Sequence, residues 1–191
     1  MNMEHEDASK MVRTVDVIKE GRGAYYRMLE KAREGELVRV RPGVYATWEQ
    51  LASSMIDIET IIPDSILCRF SAWSIHRLST VIPQSIDVTI LRGRRIRLPE
   101  YPSITLYYQS EPTLTLGVES MTIDGHKVKI YNMERCVCDA VKYRNKIGRE
   151  VCAEILNNYL ERPQRNLTLL MDYAGKLRIA NTLEKYLEIK L

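Results

Sequence analysis

A chain of 191 residues, 45% of them hydrophobic, has room for one large domain or for a small and a medium one, and it is too apolar to remain disordered. The net charge of +3 says little about partners by itself, and no apolar run approaches the roughly 20 residues needed to span a bilayer. Residues 1–10, MNMEHEDASK, lack the basic-then-apolar pattern of a signal peptide, so a cytoplasmic protein with no membrane partner is expected.

The charge is unevenly distributed. Residues 1–9 carry three acids and no Lys or Arg; residues 10–41 carry nine basic side chains against five acidic ones; residues 48–66 carry four acids and no Lys or Arg. A basic stretch bracketed by acidic ones is the footprint of a phosphate-binding surface, although a solvated charged face gives the same pattern.

In chain order, Thr14 suits the N-cap of a short helix bearing Val15, Val17 and Ile18 and closed by Glu20-Gly21. A second helix is predicted from Arg22 to Glu34. Its Tyr25, Met28, Leu29 and Ala32 share one face, which leaves Arg22, Tyr26, Arg27 and Glu30 opposite, with Lys31 and Arg33 on the flanks. Gly35 is a natural stop. Residues 36–45 then read as two short strands around Pro42-Gly43, with Val38 and Val40 alternating with Arg39 and Arg41.

Two helices joined by a glycine-containing turn and followed by a hairpin match a winged helix-turn-helix, whose second helix enters the major groove by its N-terminal end. On that reading Arg22, Tyr26 and Arg27 read or flank bases, while Arg13, Lys31, Arg39 and Arg41 meet phosphates. A helix–hairpin unit that only caps a second domain fits the same pattern. A complete winged domain usually begins with one more helix, and only residues 1–9 remain to supply it.

Residues 48–62 have mixed apolar spacing and predict one helix or two short pieces, stopped before Pro63. Asp64 can cap a next helix carrying Leu67, Phe70, Ser71, Ser74, Ile75 and Leu78 on a narrow stripe, with His76 off it as a polar surface residue. Period two follows. Ile86, Val88 and Ile90, then Ile104, Leu106 and Tyr108, then Leu114, Leu116 and Val118 alternate with polar residues, and two further runs flank Asp124-Gly125, a strong hairpin signal. Four helices close the chain, the first capped by Asn132. The expected fold is therefore α+β: a winged helix-turn-helix over residues 1–47, then a domain over 48–191 with a mainly antiparallel sheet of four or five strands and a C-terminal helical run. Between strands, Arg92, Arg94, Arg95 and Arg97 form a cluster suited to a nucleic acid, to an acidic partner surface, or simply to water.

No Walker-type loop, HExxH helix, GxSxG elbow or Rossmann fingerprint is present, and His5, His76 and His126 are scattered. Cys68, Cys136, Cys138 and Cys152 form no CxxC pair. Two residues apart on a helix, Cys136 and Cys138 point about 200° apart and cannot grip one ion. No catalytic residue, metal or cofactor is expected. Glu119, Asp124, Glu134 and Asp139 fall around strands and leave a metal-dependent nuclease as the enzymatic alternative, although Asp124 is already explained by its turn.

Three stretches together resemble one family. Residues 35–45, GELVRVRPGVY, are similar to the "G-x-L-x-R-V-x-x-G-V-Y" signature of AbiEi-type antitoxins. Residues 71–78, SAWSIHRL, followed by Ile82-Pro83, resemble that family's "SALSLHGL…P" helix, with Trp73 and Arg77 in place of Leu and Gly. Residues 134–139, ERCVCD, resemble its "ERT-x-x-D" helix start, with Cys136 in place of Thr. The similarity runs from about residue 10 to the C-terminus. It implies a type IV toxin–antitoxin or abortive-infection regulator, which represses its own promoter as double-stranded DNA and counters a nucleotidyltransferase toxin encoded alongside. It gives His76 and Asp139 structural roles and leaves dimerisation on DNA open. A protein-interaction module without specific DNA binding is the alternative from another class.

Overall fold

The computed structural model describes residues 11–52 and 57–188. The opening helix considered for residues 1–9 lies outside the described residues. Two compact units divide the chain: the residues up to Ser65 with Arg95–Ile104 and Thr122–Val128, and Ile66–Arg94 with Thr105–Met121 and Lys129 onward.

The first unit begins with a strand that periodicity could not announce, β1 (Val12–Arg13), followed by α1 (Thr14–Lys19), α2 (Arg22–Glu34), β2 (Val38–Arg41), β3 (Val44–Ala46), α3 (Trp48–Ala52) and α4 (Ile58–Ile61). Thr14 is thus the first residue of α1 and not its cap. Its backbone N–H donates to the Gly43 carbonyl at 2.8 Å, tying the helix start to the turn between β2 and β3. The three strands form an antiparallel sheet in the order β1-β3-β2, with Val12 opposite Tyr45, Arg13 opposite Val44 and Arg39 opposite Tyr45; the register shifts between Arg39 and Arg41.

On α2 the expected stripe holds: Met28 is buried and Tyr25, Leu29 and Ala32 are half-buried. The helix stops at Gly35, whose φ of 83° is open to glycine at little cost, and the Glu36 N–H donates to the Lys31 carbonyl at 2.9 Å. Met11, Met28, Leu37, Val40, Val44, Ala46, Leu51, Ile58, Ile61, Ile62 and Val128 are among the buried apolar residues of this unit. The stretch expected as one helix or two pieces gives α3 and α4, the latter capped by Asp57, whose carboxylate accepts from the Thr60 N–H at 3.0 Å.

The second unit takes β4 (Ile66–Leu67), α5 (Arg69–Ile75), β5 (Ile86–Leu91) and β6 (Ile104–Gln109). The hairpin β7 (Val118–Ile123) and β8 (His126–Tyr131) follows, its end Thr122–Val128 counted with the first unit, then α6 (Met133–Ile147), α7 (Arg149–Leu160), α8 (Leu167–Lys176) and α9 (Ala180–Glu188). The five-stranded sheet has the order β6-β5-β4-β8-β7. Its central β4 runs antiparallel to β5 and parallel to β8.

This corrects the expectation that Asp64 caps a helix containing Leu67. Ile66 and Leu67 form a strand buried in mid-sheet, and a short apolar run of that kind reads alike as strand or helix. The helix starts only at Arg69 and buries Ser71, Ala72 and Trp73, while Ser74 is exposed. His76 is likewise no surface residue: its side chain is 9% exposed and its Nε2 lies 2.8 Å from the Tyr131 carbonyl oxygen. Leu114 and Leu116, expected in a strand, lie in turns before β7. The carbonyls of Thr113 and Leu116 accept hydrogen bonds from a buried guanidinium instead of a ladder partner. At the hairpin, Asp124 and Gly125 both hold positive φ, 48° and 82°, as a tight two-residue turn requires.

The helical run is as expected. The Asn132 side chain accepts from the Arg135 N–H and that of Asn166 from the Leu169 N–H, so each caps its helix. The fold is mixed α+β, with antiparallel and mixed sheets and C-terminal helices. Among the described residues no helix is long and apolar enough to cross a membrane.

Candidate nucleic-acid interface

Folding sorts the seven expected DNA-contacting residues by how free they are. Burying the Met28 stripe turns the other face of α2 to solvent, and Arg22, Tyr26, Arg27 and Lys31 are all exposed there. Arg39, on the outward side of β2, is exposed as well. The guanidinium groups of Arg22, Arg27 and Arg39 have no ion-pair partner among the described residues. Lys31 lies 3.8 Å from Glu36, both on the surface, a pair too loose and too wet to hold it.

Two of the seven are engaged. The Arg13 Nε donates to Asp16 at 2.7 Å, and Asp16 also accepts from Lys19 at 3.1 Å. These bonds, from Arg13 first and then Lys19, hold the Asp16 carboxyl below its ordinary range. A phosphate at Arg13 would compete with that carboxylate. Arg41 is half-buried, and its Nε donates to the Thr60 carbonyl at 2.9 Å, because the shift in register after Arg39 turns it towards α4. Only the remaining edge of its guanidinium is available.

The four-arginine stretch is divided too. Arg92 is exposed and Arg94 half-buried in the second unit, while Arg95 and Arg97 are exposed in the first.

Two aromatic side chains of the first unit were not singled out as site residues. Trp48 donates its Nε1–H to the Gly35 carbonyl at 3.0 Å, and Tyr101 donates its hydroxyl to the Leu51 carbonyl at 3.1 Å. Each ring is tethered at its polar end, yet Trp48 is 64% and Tyr101 54% exposed. The available signal was an aromatic residue between prolines, LPEYP over residues 98–102, directly after the arginines.

In the second unit most of the buried charged side chains are paired. Glu134 accepts from the Tyr159 hydroxyl at 3.0 Å and from the Asn166 N–H at 3.3 Å, and Asp139 pairs with Arg135. Burial pushes the Asp139 carboxyl up against the pull of Arg135. Two of the four carboxylates considered for a nuclease are thereby committed. Among the described residues no group of three or more His, Cys, Asp and Glu side chains is placed to hold a metal ion. Sequence reasoning also passed over Arg69. Its backbone has φ 45°, and its guanidinium lies between the rings of Tyr107 and Tyr143, 3.7 and 4.0 Å from their centroids. The four cysteines are buried, free thiols. In comparisons with known proteins, no family model matches this chain and no curated protein does.

Proposed function

We propose that the protein is a DNA-binding transcriptional autorepressor and antitoxin of the AbiEi type, with a winged helix-turn-helix in its first unit. The supporting observation is the order β1–α1–α2–β2–β3, in which β1 joins the hairpin to give the sheet β1-β3-β2. In a winged domain α2 is the recognition helix and β2–β3 the wing. Arg22, Tyr26 and Arg27 then read or flank bases in the major groove, and Arg39 and Lys31 neutralise phosphates; Arg13 and Arg41 contribute less, because each already has a partner in the protein.

The family resemblance supports the same reading at one backbone position. Arg77 holds φ 54°, a conformation that glycine adopts freely, where the resembled signature carries Gly. The second unit is then the part that counters a nucleotidyltransferase toxin.

The test is an anisotropy titration of the full chain against its own upstream DNA over a range of salt. Arg22→Ala, Arg27→Ala and Arg39→Ala should each weaken binding and reduce the slope of log affinity against log salt by about one. Unchanged affinity and slope in the Arg22→Ala, Arg39→Ala double variant would sink the winged-helix assignment. Equal, salt-limited affinity for unrelated duplexes would favour the protein-interaction reading, and co-expression with a neighbouring nucleotidyltransferase gene would test that role directly.

A further inference from the structure

We infer that the groove beside the hairpin is a stacking site for an unpaired base of single-stranded nucleic acid. The inference rests on the nucleic-acid reading of the same hairpin and goes beyond duplex recognition.

The groove has a volume of about 450 Å³, and its lining includes Arg39, Arg41, Trp48, Arg97, Glu100 and Tyr101. That size falls within the roughly 300–1,000 Å³ of small-ligand sites. Three cations face one carboxylate, so the groove favours an anionic ligand. Arg39 and Arg97 are exposed with no ion-pair partner among the described residues, which leaves them free for phosphate oxygens.

The two aromatic residues set the ligand class. An exposed Trp or Tyr on a protein surface ordinarily keeps its polar tip in water and its ring against the protein. Here the arrangement is reversed: the Trp48 indole N–H and the Tyr101 hydroxyl are both spent on backbone carbonyls, while both residues remain more than half exposed. A ring tethered in this way loses little entropy when a planar group lies against it. Aromatic faces interleaved with arginines are the arrangement by which proteins hold single strands, with bases on the rings and the backbone along the cations. An acidic peptide would use the arginines but leave the rings unused. A paired duplex does not offer base faces at all.

Emission from Trp48 tests this, because the other tryptophan, Trp73, is fully buried and gives a constant background. The full chain is titrated with a thymidine oligonucleotide of about ten nucleotides, with an abasic oligonucleotide of equal length and charge, with polyglutamate, and with duplex DNA. The thymidine strand should quench Trp48 and bind roughly tenfold more tightly than the abasic strand, as the loss of one stacked base implies. Trp48→Phe should abolish the quenching but keep the tenfold preference. Tyr101→Ala should diminish that preference, and Arg97→Ala should weaken both strands alike. Equal binding of thymidine and abasic strands, or equal quenching by polyglutamate, overturns the stacking site. Duplex affinity reports separately. If it is lost in Arg22→Ala while the thymidine preference survives, the two sites are independent. If the duplex binds normally and the preference is absent, only the stacking site has failed.

Discussion

Arg135 and Asp139, one helical turn apart on α6, meet at 3.2 Å with side chains 0% and 2% exposed. The guanidinium also donates from Nη1 to the carbonyls of Thr113 at 2.7 Å and Leu116 at 3.0 Å, and it sits over the Tyr131 ring at 4.3 Å. One cation thereby organises a turn segment that has no ladder of its own. It supplies donors that the turn carbonyls would otherwise lack, and its remaining Nη2 finds no acceptor among the described residues.

Removing one partner leaves a buried charge uncompensated, so Asp139→Ala should cost about 3–5 kcal/mol in urea unfolding. Arg135→Met should be comparably damaging, because two turn carbonyls lose their donor as well. The double variant Arg135→Met, Asp139→Leu should lose clearly less than the sum. Additive losses would mean that the two groups are not energetically coupled.

The turn that Arg135 supports also explains Gly117. With φ 76°, a Cβ there would lie 2.7 Å from the Arg135 Cβ, 2.9 Å from the Asn132 Oδ1 and 3.0 Å from the Tyr173 ring. Gly125 has a similar φ of 82° but nothing within 4 Å. Gly125→Ala should therefore cost only about 1 kcal/mol, for the left-handed backbone, whereas Gly117→Ala should cost about 3 kcal/mol or more, because overpacking adds to it. Equal unfolding midpoints for the two variants would contradict the close approach at Gly117.

These two glycines also mark how far the sequence could be read. Asp124-Gly125 announces its hairpin by local chemistry, and the stripe on α2 and the cap Asn132 are equally local signals. Gly117 gives no such sign, since its need for glycine comes from Arg135, Asn132 and Tyr173, all distant in sequence. The same holds for β1, too short to show a period and made a strand only by β3, and for Leu67, whose burial in mid-sheet imitates a helix stripe. At the candidate interface, the outward face of α2 followed from periodicity. The withdrawal of Arg41 to Thr60 and the tethering of Trp48 and Tyr101 depend on tertiary partners, and no spacing rule reports those.

A pH dependence follows from Glu154. It accepts from the Thr80 N–H at 2.7 Å and the Ser79 hydroxyl at 3.0 Å. Burial works against its charge, but these bonds outweigh it and hold the carboxyl below its ordinary value of 4.5. The folded pKa is thus lower than the unfolded one. The stabilisation is complete above the unfolded value and disappears as pH falls through the folded one. Glu154→Gln should destabilise the protein by about 1 kcal/mol at pH 7, with the difference from wild type shrinking as the pH is lowered below 4.5. A difference that persists undiminished at pH 3 would show that packing, and not charge, is responsible.

Burial governs the thiols in the same sense. Cys68, Cys136, Cys138 and Cys152 are all buried, and burial raises each of them, Cys138 to about 12. Thiolate is the reactive form, so at pH 8 almost none is present in the folded chain, and the sulfurs are shielded besides. Ellman's reagent should accordingly find essentially no reactive thiol in native protein and all four after guanidinium unfolding, with labelling of the native state limited by the rate of opening. The helices carrying Cys136, Cys138 and Cys152 pack in the interior, so these three should become reactive only with global unfolding, and a denaturant series should show them following the unfolding curve. Prompt labelling of any one of them in native protein would mean that α6 or α7 opens locally, and that the buried pair of Arg135 and Asp139 does not hold its helix closed.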